Sequence, residues 1–400
     1  MRPAGATAPL LTVAAFLTGP LALLAPLGLA PLLTVVAAGL AVIAGLQRRL
    51  PVPSADLAAS LALLCALALA SGLWAVDSGH SLARAGRLVG ECVEGLLLVD
   101  AGARLTPPER RRVLTALALG LAVLVVLAVA DWGVAGGLTR WMHGSRARVS
   151  ANNRGATVLA ITMWPALVWL WRARGRGLAL AGWGVAAVGV AACASESAQL
   201  ALAVASLGFL VAWRLGRAAA QTMVVLASAA VIAMPLLPFI VPPPMPLAPD
   251  RLLKPSAVHR LVIWRFADER IGERPLLGWG LDASRAIPGG EQRVVMPDGA
   301  GHLLQLQLMP LHPHNGALQV WLELGAVGAL VGALLTMVAT SRLAVPSLDP
   351  AVRAAGLAAF TAAAIELSLS YGMWQSWWIA ALWLAAFAVQ LTVADPTAEP

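Results

Sequence analysis

Long apolar runs dominate the chain, and their length decides what they can be. Runs of about twenty residues, separated by short charged or Pro/Gly-containing connections, recur near 8–25, 28–46, 55–75, 81–103, 112–131, 155–171, 178–194, 197–213, 219–241, 315–340, 352–371 and 374–394. A helix needs roughly 20 apolar residues to cross the hydrocarbon core of a bilayer, whereas core strands and soluble helices are shorter or amphipathic. The pattern predicts an all-α integral membrane protein of about twelve transmembrane helices. The first run follows Arg2 as a secretory leader would, but a second run comes at once with no clear small-residue cleavage site, so it reads as a retained span.

Two stretches are too polar and too long to be turns: 132–154, and 242–313, which opens with the breaker run "VPPPMPLAPD". They predict a membrane segment over 1–241 with an outer loop at 132–154, a large extramembrane domain over 242–313, and a final membrane segment over 314–400. Within the large loop, "SAVHRLVIWRFADERIGERP" mixes charged and apolar residues at helical spacing. It predicts an interfacial helix of about four turns, with Ser256 as N-cap and Pro275 beyond its end. Then "LLGWGLDASRAIPGGEQ" is Gly-rich and loop-like, and "GHLLQLQLMPLHPHN" leads into the tenth span. No inverted repeat of the kind found in secondary transporters is visible.

Composition agrees: 59% of residues are hydrophobic, 12% are charged, and the mean hydropathy is +0.79. The charge of +8 changes the picture only through its distribution. With the N-terminus inside, the inner connections hold fourteen of the 28 basic residues, the short outer loops and span ends six, and the stretch 242–313 the other eight. Both termini are therefore expected in the cytoplasm. Basic residues dispersed over two faces suit anionic lipids and give no reason to invoke nucleic acid. Cys65, Cys92 and Cys193 all fall within spans, as small core residues rather than a disulfide framework.

Four groups of residues carry candidate chemistry. In the fourth span, Arg84, Arg87, Glu91 and Glu94 recur at i, i+3, i+7 and i+10 on one helical face. Ionisable groups at membrane depth are paired or functional, so this stripe reads either as an internal ion-pair ladder or, through its two arginines, as a phosphate contact. The outer loop "RWMHGSRARVSANNRG" carries Arg140, Arg146, Arg148 and Arg154 on the side where basic residues are disfavoured, which points to an anion there or to lipid headgroups. Arg260 and Arg265 stand five residues apart around Trp264, about 140° apart on an ideal helix, so they need not share a target. Finally, "HPHN" at 312–315 reads as a helix start, with Pro313 in the first turn and His314 and Asn315 near an exposed, anion-friendly N-terminus. Gly325 and Gly328 lie two to three turns deeper as a small-residue packing surface. His312 and His314 form an H-x-H pair, but no other histidine or thiolate has metal-site spacing, and no Asp-x-Asp pair is present to hold a divalent cation. Neither a metal nor any other cofactor is expected.

These residues resemble a family. In "HNGALQVWLELGAVG", His314 and Asn315 are followed after nine residues by Gly325-x-x-Gly328, which resembles the signature of the O-antigen ligase family within the O-antigen polymerase superfamily. Arg260, Trp264, Pro275, Leu276, Leu277, Gly278 and Gly280 are similar to its Arg-x-x-x-Trp and Pro-Leu-Leu-Gly-x-Gly stretch. "LWAVDSGHSLARAGRL" and "RVSANNRG", with Asn153, resemble two further patterns upstream. The sequence departs from the family at Ser197-Ala198-Gln199, where a Ser-Arg pair is usual.

The resemblance implies a GT-C-like membrane glycosyltransferase with a large periplasmic loop domain, in the bacterial inner membrane. It would ligate O-antigen glycan from undecaprenyl diphosphate onto a sugar hydroxyl of lipid A–core, without metal and with inversion. His314 would be catalytic. Arg260 and Arg265, and after them Arg146, Arg148, Arg154, Arg84 and Arg87, would meet the diphosphate, with Asn315, His312, Asn153, Trp264, Gly325 and Gly328 in support. Two alternatives are an O-antigen polymerase using the same donor and, from another class, a polytopic transporter or flippase. The latter would concentrate ionisable groups at mid-membrane, whereas here the basic clusters and His314 lie at a span boundary.

Overall fold

The computed structural model describes residues 6–49, 51, 54–143, 152–240, 254–297 and 302–393. The chain runs α1 (Thr7–Leu24), α2 (Leu29–Leu46), α3 (Ala55–Ser71), α4 (Ser78–Ala103), α5 (Pro107–Gly133), α6 (Gly137–His143), α7 (Asn153–Arg174), α8 (Arg176–Ala192), α9 (Glu196–Leu215), α10 (Arg217–Ala233) and α11 (Leu237–Ile240). It continues with α12 (Pro255–Glu273), β1 (Arg293–Pro297), β2 (Leu303–Gln307), α13 (Gly316–Ser341), α14 (Pro350–Leu369) and α15 (Ser376–Thr392). Each of the twelve apolar runs falls on a helix. Among the described residues, eight helices are long and apolar enough to cross a membrane. Of the other four, α3, α8 and α15 are apolar but have only 17 residues, and α4 carries the ionisable stripe.

The solvent for this bundle is apolar. Large side chains such as Val35, Leu46, Val126 and Leu180 are about two-thirds exposed, and α10 buries only Ala220. Water would not tolerate so continuous an apolar shell, whereas lipid tails do, and α-helices already satisfy their own backbone groups. Inside, α1 packs along α5, and α14 along α9 and α7, around a core that includes the fully buried Trp378, and α10 packs along α13.

Three local readings are corrected. The all-α expectation missed an antiparallel hairpin, in which Arg293 pairs with Gln307 and Pro297 with Leu303. The interfacial helix starts at Pro255 with Lys254 as N-cap, not at Ser256, because proline at the first helical position supplies a pre-set φ. Pro313 lies outside α13, whose N-cap is Asn315: its side chain accepts from the Leu318 amide at 3.0 Å.

The largest correction concerns Gly325 and Gly328. Gly325 (φ 64°, ψ −161°) breaks α13 in a region that is essentially glycine-only. Into the break comes the segment 275–280. The amides of Ala326 and Val327 donate to the carbonyls of Pro275 (2.8 Å) and Leu276 (3.2 Å), and those of Trp279 and Gly280 donate to Leu322 (3.0 Å) and Glu323 (2.8 Å). A side chain at Gly325 would stand 2.3 Å from the Leu276 carbonyl, and one at Gly278 would stand 2.5 Å from the Glu323 carbonyl carbon. A Cβ at Gly328 would meet Leu324 of the same helix at 2.2 Å. Gly325 and Gly278 therefore let a loop cross a broken helix, while Gly328 is crowded by its own helix and not by a neighbouring one.

Candidate functional site

The ends of five helices converge where α13 begins. Pro313 and the buried residues around it hold His314 at φ +55°, a left-handed conformation that histidine adopts more readily than most residues. Trp264 of α12 donates its indole N–H to the Pro313 carbonyl at 2.8 Å. His314 Nδ1 lies 2.8 Å from the Ser370 carbonyl at the end of α14. A carbonyl can only accept, so Nδ1 carries the proton and Nε2 keeps a lone pair. The His314 amide donates to His312 Nδ1 at 3.1 Å, and the two rings are 4.4 Å apart. His312 is buried, and burial, then the charges of His314 and Arg285, push its pKa down to about 3. Burial likewise lowers His314 below the ordinary histidine value, assisted by Arg260 and His259 and opposed by the Ser370 carbonyl.

Arg260 supplies the positive charge beside His314. It is half-buried, which works against its charge, while the carboxylates of Glu196 and Glu366 support it. Among the described residues it makes no ion pair within 4.0 Å. Glu366, on α14, is fully buried with both carboxylate oxygens lacking a hydrogen-bond partner among the described residues. The hydroxyls of Ser370, Thr157 and Ser197 are its polar neighbours. Thr157 in turn meets the Tyr371 hydroxyl at 3.2 Å, and Arg154 lies over the Trp377 ring at 5.3 Å. Helices α7, α9, α12, α13 and α14 thus contribute to one polar cluster that includes Arg260, His314 and Glu366.

Other expected site residues lie elsewhere. Arg265 is exposed and paired with Glu269, on a different face of α12 from Arg260, as their angular separation requires. Arg84 is buried and bidentate to Glu91 at 3.1 and 2.6 Å, which is the ion-pair ladder rather than a phosphate contact, while Arg87 is exposed. Arg146 and Arg148 lie outside the described residues. Asn153 is the first residue of α7, and the wired asparagine is its neighbour: Asn152 donates to Asp131 Oδ2 at 2.7 Å, beside Thr139.

Sequence reasoning missed Glu366, Tyr371 and Glu323. Glu366 had a legible signal, a lone carboxylate within an apolar run. Glu323 is fully buried on α13 and accepts from the Asp282 amide (2.6 Å), the Ser284 hydroxyl (2.5 Å), Gln319 (2.9 Å) and the Trp374 indole (2.6 Å). It fastens the segment after Gly280 and the turn before α15 to the helix that begins at His314.

The fold and site define a multi-pass helical membrane protein with a polar cluster where α13 begins. Residues 183–333 match the family model described as O-Antigen ligase. It is 35% identical over 144 residues to a provisionally named polysaccharide ligase of Rickettsia conorii, covering 36% of this chain and 34% of that one. A provisionally named polysaccharide ligase of Rickettsia prowazekii is 26% identical over 281 residues, 70% of this chain and 68% of the relative. The chain therefore spans about a third of the first relative and two-thirds of the second.

Proposed function

We propose that the protein is a glycosyltransferase that ligates a glycan from undecaprenyl diphosphate onto a sugar hydroxyl of lipid A–core, at the periplasmic face of the bacterial inner membrane. The observation that carries this reading is the His314 tautomer: Nδ1 is committed to Ser370, which leaves Nε2 as a base beside Arg260. In one displacement the acceptor oxygen bonds to the anomeric carbon and its proton passes to His314 Nε2. The anomeric C–O bond to phosphate breaks, and undecaprenyl diphosphate leaves with the bonding electrons. The anomeric centre inverts. Arg260 neutralises the growing phosphate charge in a partly dehydrated site, where such a charge acts most strongly. Arg154 is a second cation at the edge of the cluster, and no divalent cation is needed for this charge balance.

The test uses purified wild type and His314→Ala in detergent, undecaprenyl-diphosphate glycan, lipid A–core and EDTA, with the acceptor's gel shift as readout. Wild type is expected to transfer glycan, and the variant to lose about 10²- to 10⁴-fold in rate, the usual contribution of a general base. Retained activity in the variant removes His314 from the chemistry. Glycan lengthening on the donor lipid instead makes the protein a polymerase, and no covalent product at all returns the transporter.

A further inference from the structure

We propose that the cavity beside Arg285 is an acceptor subsite that takes an anionic substituent, a phosphate or a carboxylate, of the acceptor glycan. The proposal rests on the reading of His314 as the transfer centre. Asp282, in a left-handed conformation (φ +56°), is pinned by its amide to Glu323. Its Oδ2 accepts from Arg285 Nε at 3.2 Å and meets His80 Nε2 at 2.8 Å. Asp282 is thus sequestered, with a side chain only 9% exposed, while Arg285 and His80 present 40% and 39% of theirs. A buried carboxylate pre-orients two surface nitrogen bases, and the planar arginine fork suits an oxyanion.

Arg285 lines a cavity of about 310 Å³ with Ser284, Glu291, Gln307 and Pro310. That volume lies at the lower end for small-ligand sites. Its exposed polar rim, Glu291 and Gln307, offers carboxylate and amide groups of the kind that hydrogen-bond sugar hydroxyls. The cavity wall is joined along the chain to the transfer site: Pro310 is two residues before His312, which holds the His314 amide. One arginine stands by each histidine: the charge of Arg260 acts on His314, and that of Arg285 acts on His312. A direct displacement needs the incoming hydroxyl and the leaving diphosphate on opposite sides of the anomeric carbon. With the diphosphate at Arg260, the cavity at Arg285 remains for the acceptor.

The experiment titrates deacylated core oligosaccharide, with its phosphates or chemically dephosphorylated, into the detergent-solubilised full chain and its Arg285→Ala and Arg285→Lys variants. Transfer kinetics with the matching acceptors are measured alongside. Expected are tighter binding of the phosphorylated form, at least tenfold weakening in Arg285→Ala, partial rescue in Arg285→Lys, and a raised KM for acceptor with the KM for donor unchanged. Arg285-dependent binding that survives dephosphorylation assigns the anion to the remaining sugar-acid carboxylates. Binding and acceptor KM that ignore Arg285 while transfer proceeds overturn the subsite alone. Arg285-dependent binding with no transfer by wild type overturns the transfer reading and leaves the subsite standing.

Discussion

Gly325→Ala puts a methyl group where the loop crosses α13. The new Cβ would stand 2.3 Å from the Leu276 carbonyl carbon and oxygen and 2.5 Å from the Leu277 nitrogen, against 3.4 Å for ordinary contact. Relief needs a displacement of about 1 Å, which carries the Ala326–Pro275 and Val327–Leu276 bonds, now 2.8 and 3.2 Å, beyond hydrogen-bonding range. Each bond contributes about 1 kcal/mol net, and the glycine-only backbone conformation adds roughly 1–3 kcal/mol, so loop docking weakens by about 3–5 kcal/mol. Hydrogen exchange of the detergent-solubilised protein measures it directly: protection of amides 279, 280, 326 and 327 should fall roughly 10²- to 10⁴-fold. Gly332→Ala is the control, because its Cβ meets nothing nearer than 3.6 Å and should leave exchange unchanged. Unchanged protection in Gly325→Ala, or an equal loss in Gly332→Ala, would refute the loop-crossing account and return the glycines to helix–helix packing.

Further outcomes separate the charged groups. Arg260→Ala should lower transfer at least 10²-fold, whereas Arg265→Ala, which removes only an exposed pair with Glu269, should stay within about twofold; equal losses would remove Arg260's special place. Arg84→Met leaves Glu91 buried without its partner and should destabilise the protein by about 3–5 kcal/mol, while the Arg84→Met/Glu91→Leu double variant should recover stability and transfer; an active-fold double variant without transfer would give Arg84 a role in binding. Because burial holds His314 below the ordinary histidine value, the base is unprotonated at neutral pH. Transfer should therefore be flat from neutral upward and fall only below about pH 6.5, and a rate still rising above pH 7.5 would oppose it. His312 is lowered from 6.5 to about 3, so its stabilising neutral form is fully present above pH 6.5 and is lost as pH falls toward 3. Wild type should lose more thermal stability over that window than His312→Gln, and parallel curves would oppose the assignment.

How much was legible follows from how local each signal is. Span positions depend on twenty-residue runs and are readable from hydropathy. Asn315 was readable as part of a helix start and Trp264 as part of a helix, because caps and periodicity are local. Glu366 and the Ser370 carbonyl come from a helix 52 and 56 residues beyond His314, and no spacing rule joins them. The pairing of Arg84 with Glu91 was readable as a stripe, but its burial depends on neighbours from other helices. Gly325-x-x-Gly328 misled because small residues serve both close helix packing and backbone breaks, and only the carbonyl of Leu276 distinguishes the two.

The break at Gly325 also divides α13 mechanically. Below it the helix is a shaft packed against α10 and α3. Above it, the turns that begin at Gly316 are laced to the loop 275–284 and to the turn before α15, and form a separate head. No continuous ladder of helical bonds crosses the joint, so a tilt of the shaft reaches the histidine through the loop, to which Ala326 and Val327 of the shaft donate at Pro275 and Leu276. A displacement of the 275–284 loop is transmitted at once. The loop is therefore the shared link between the two halves of the helix, and whatever moves it holds a handle on His314.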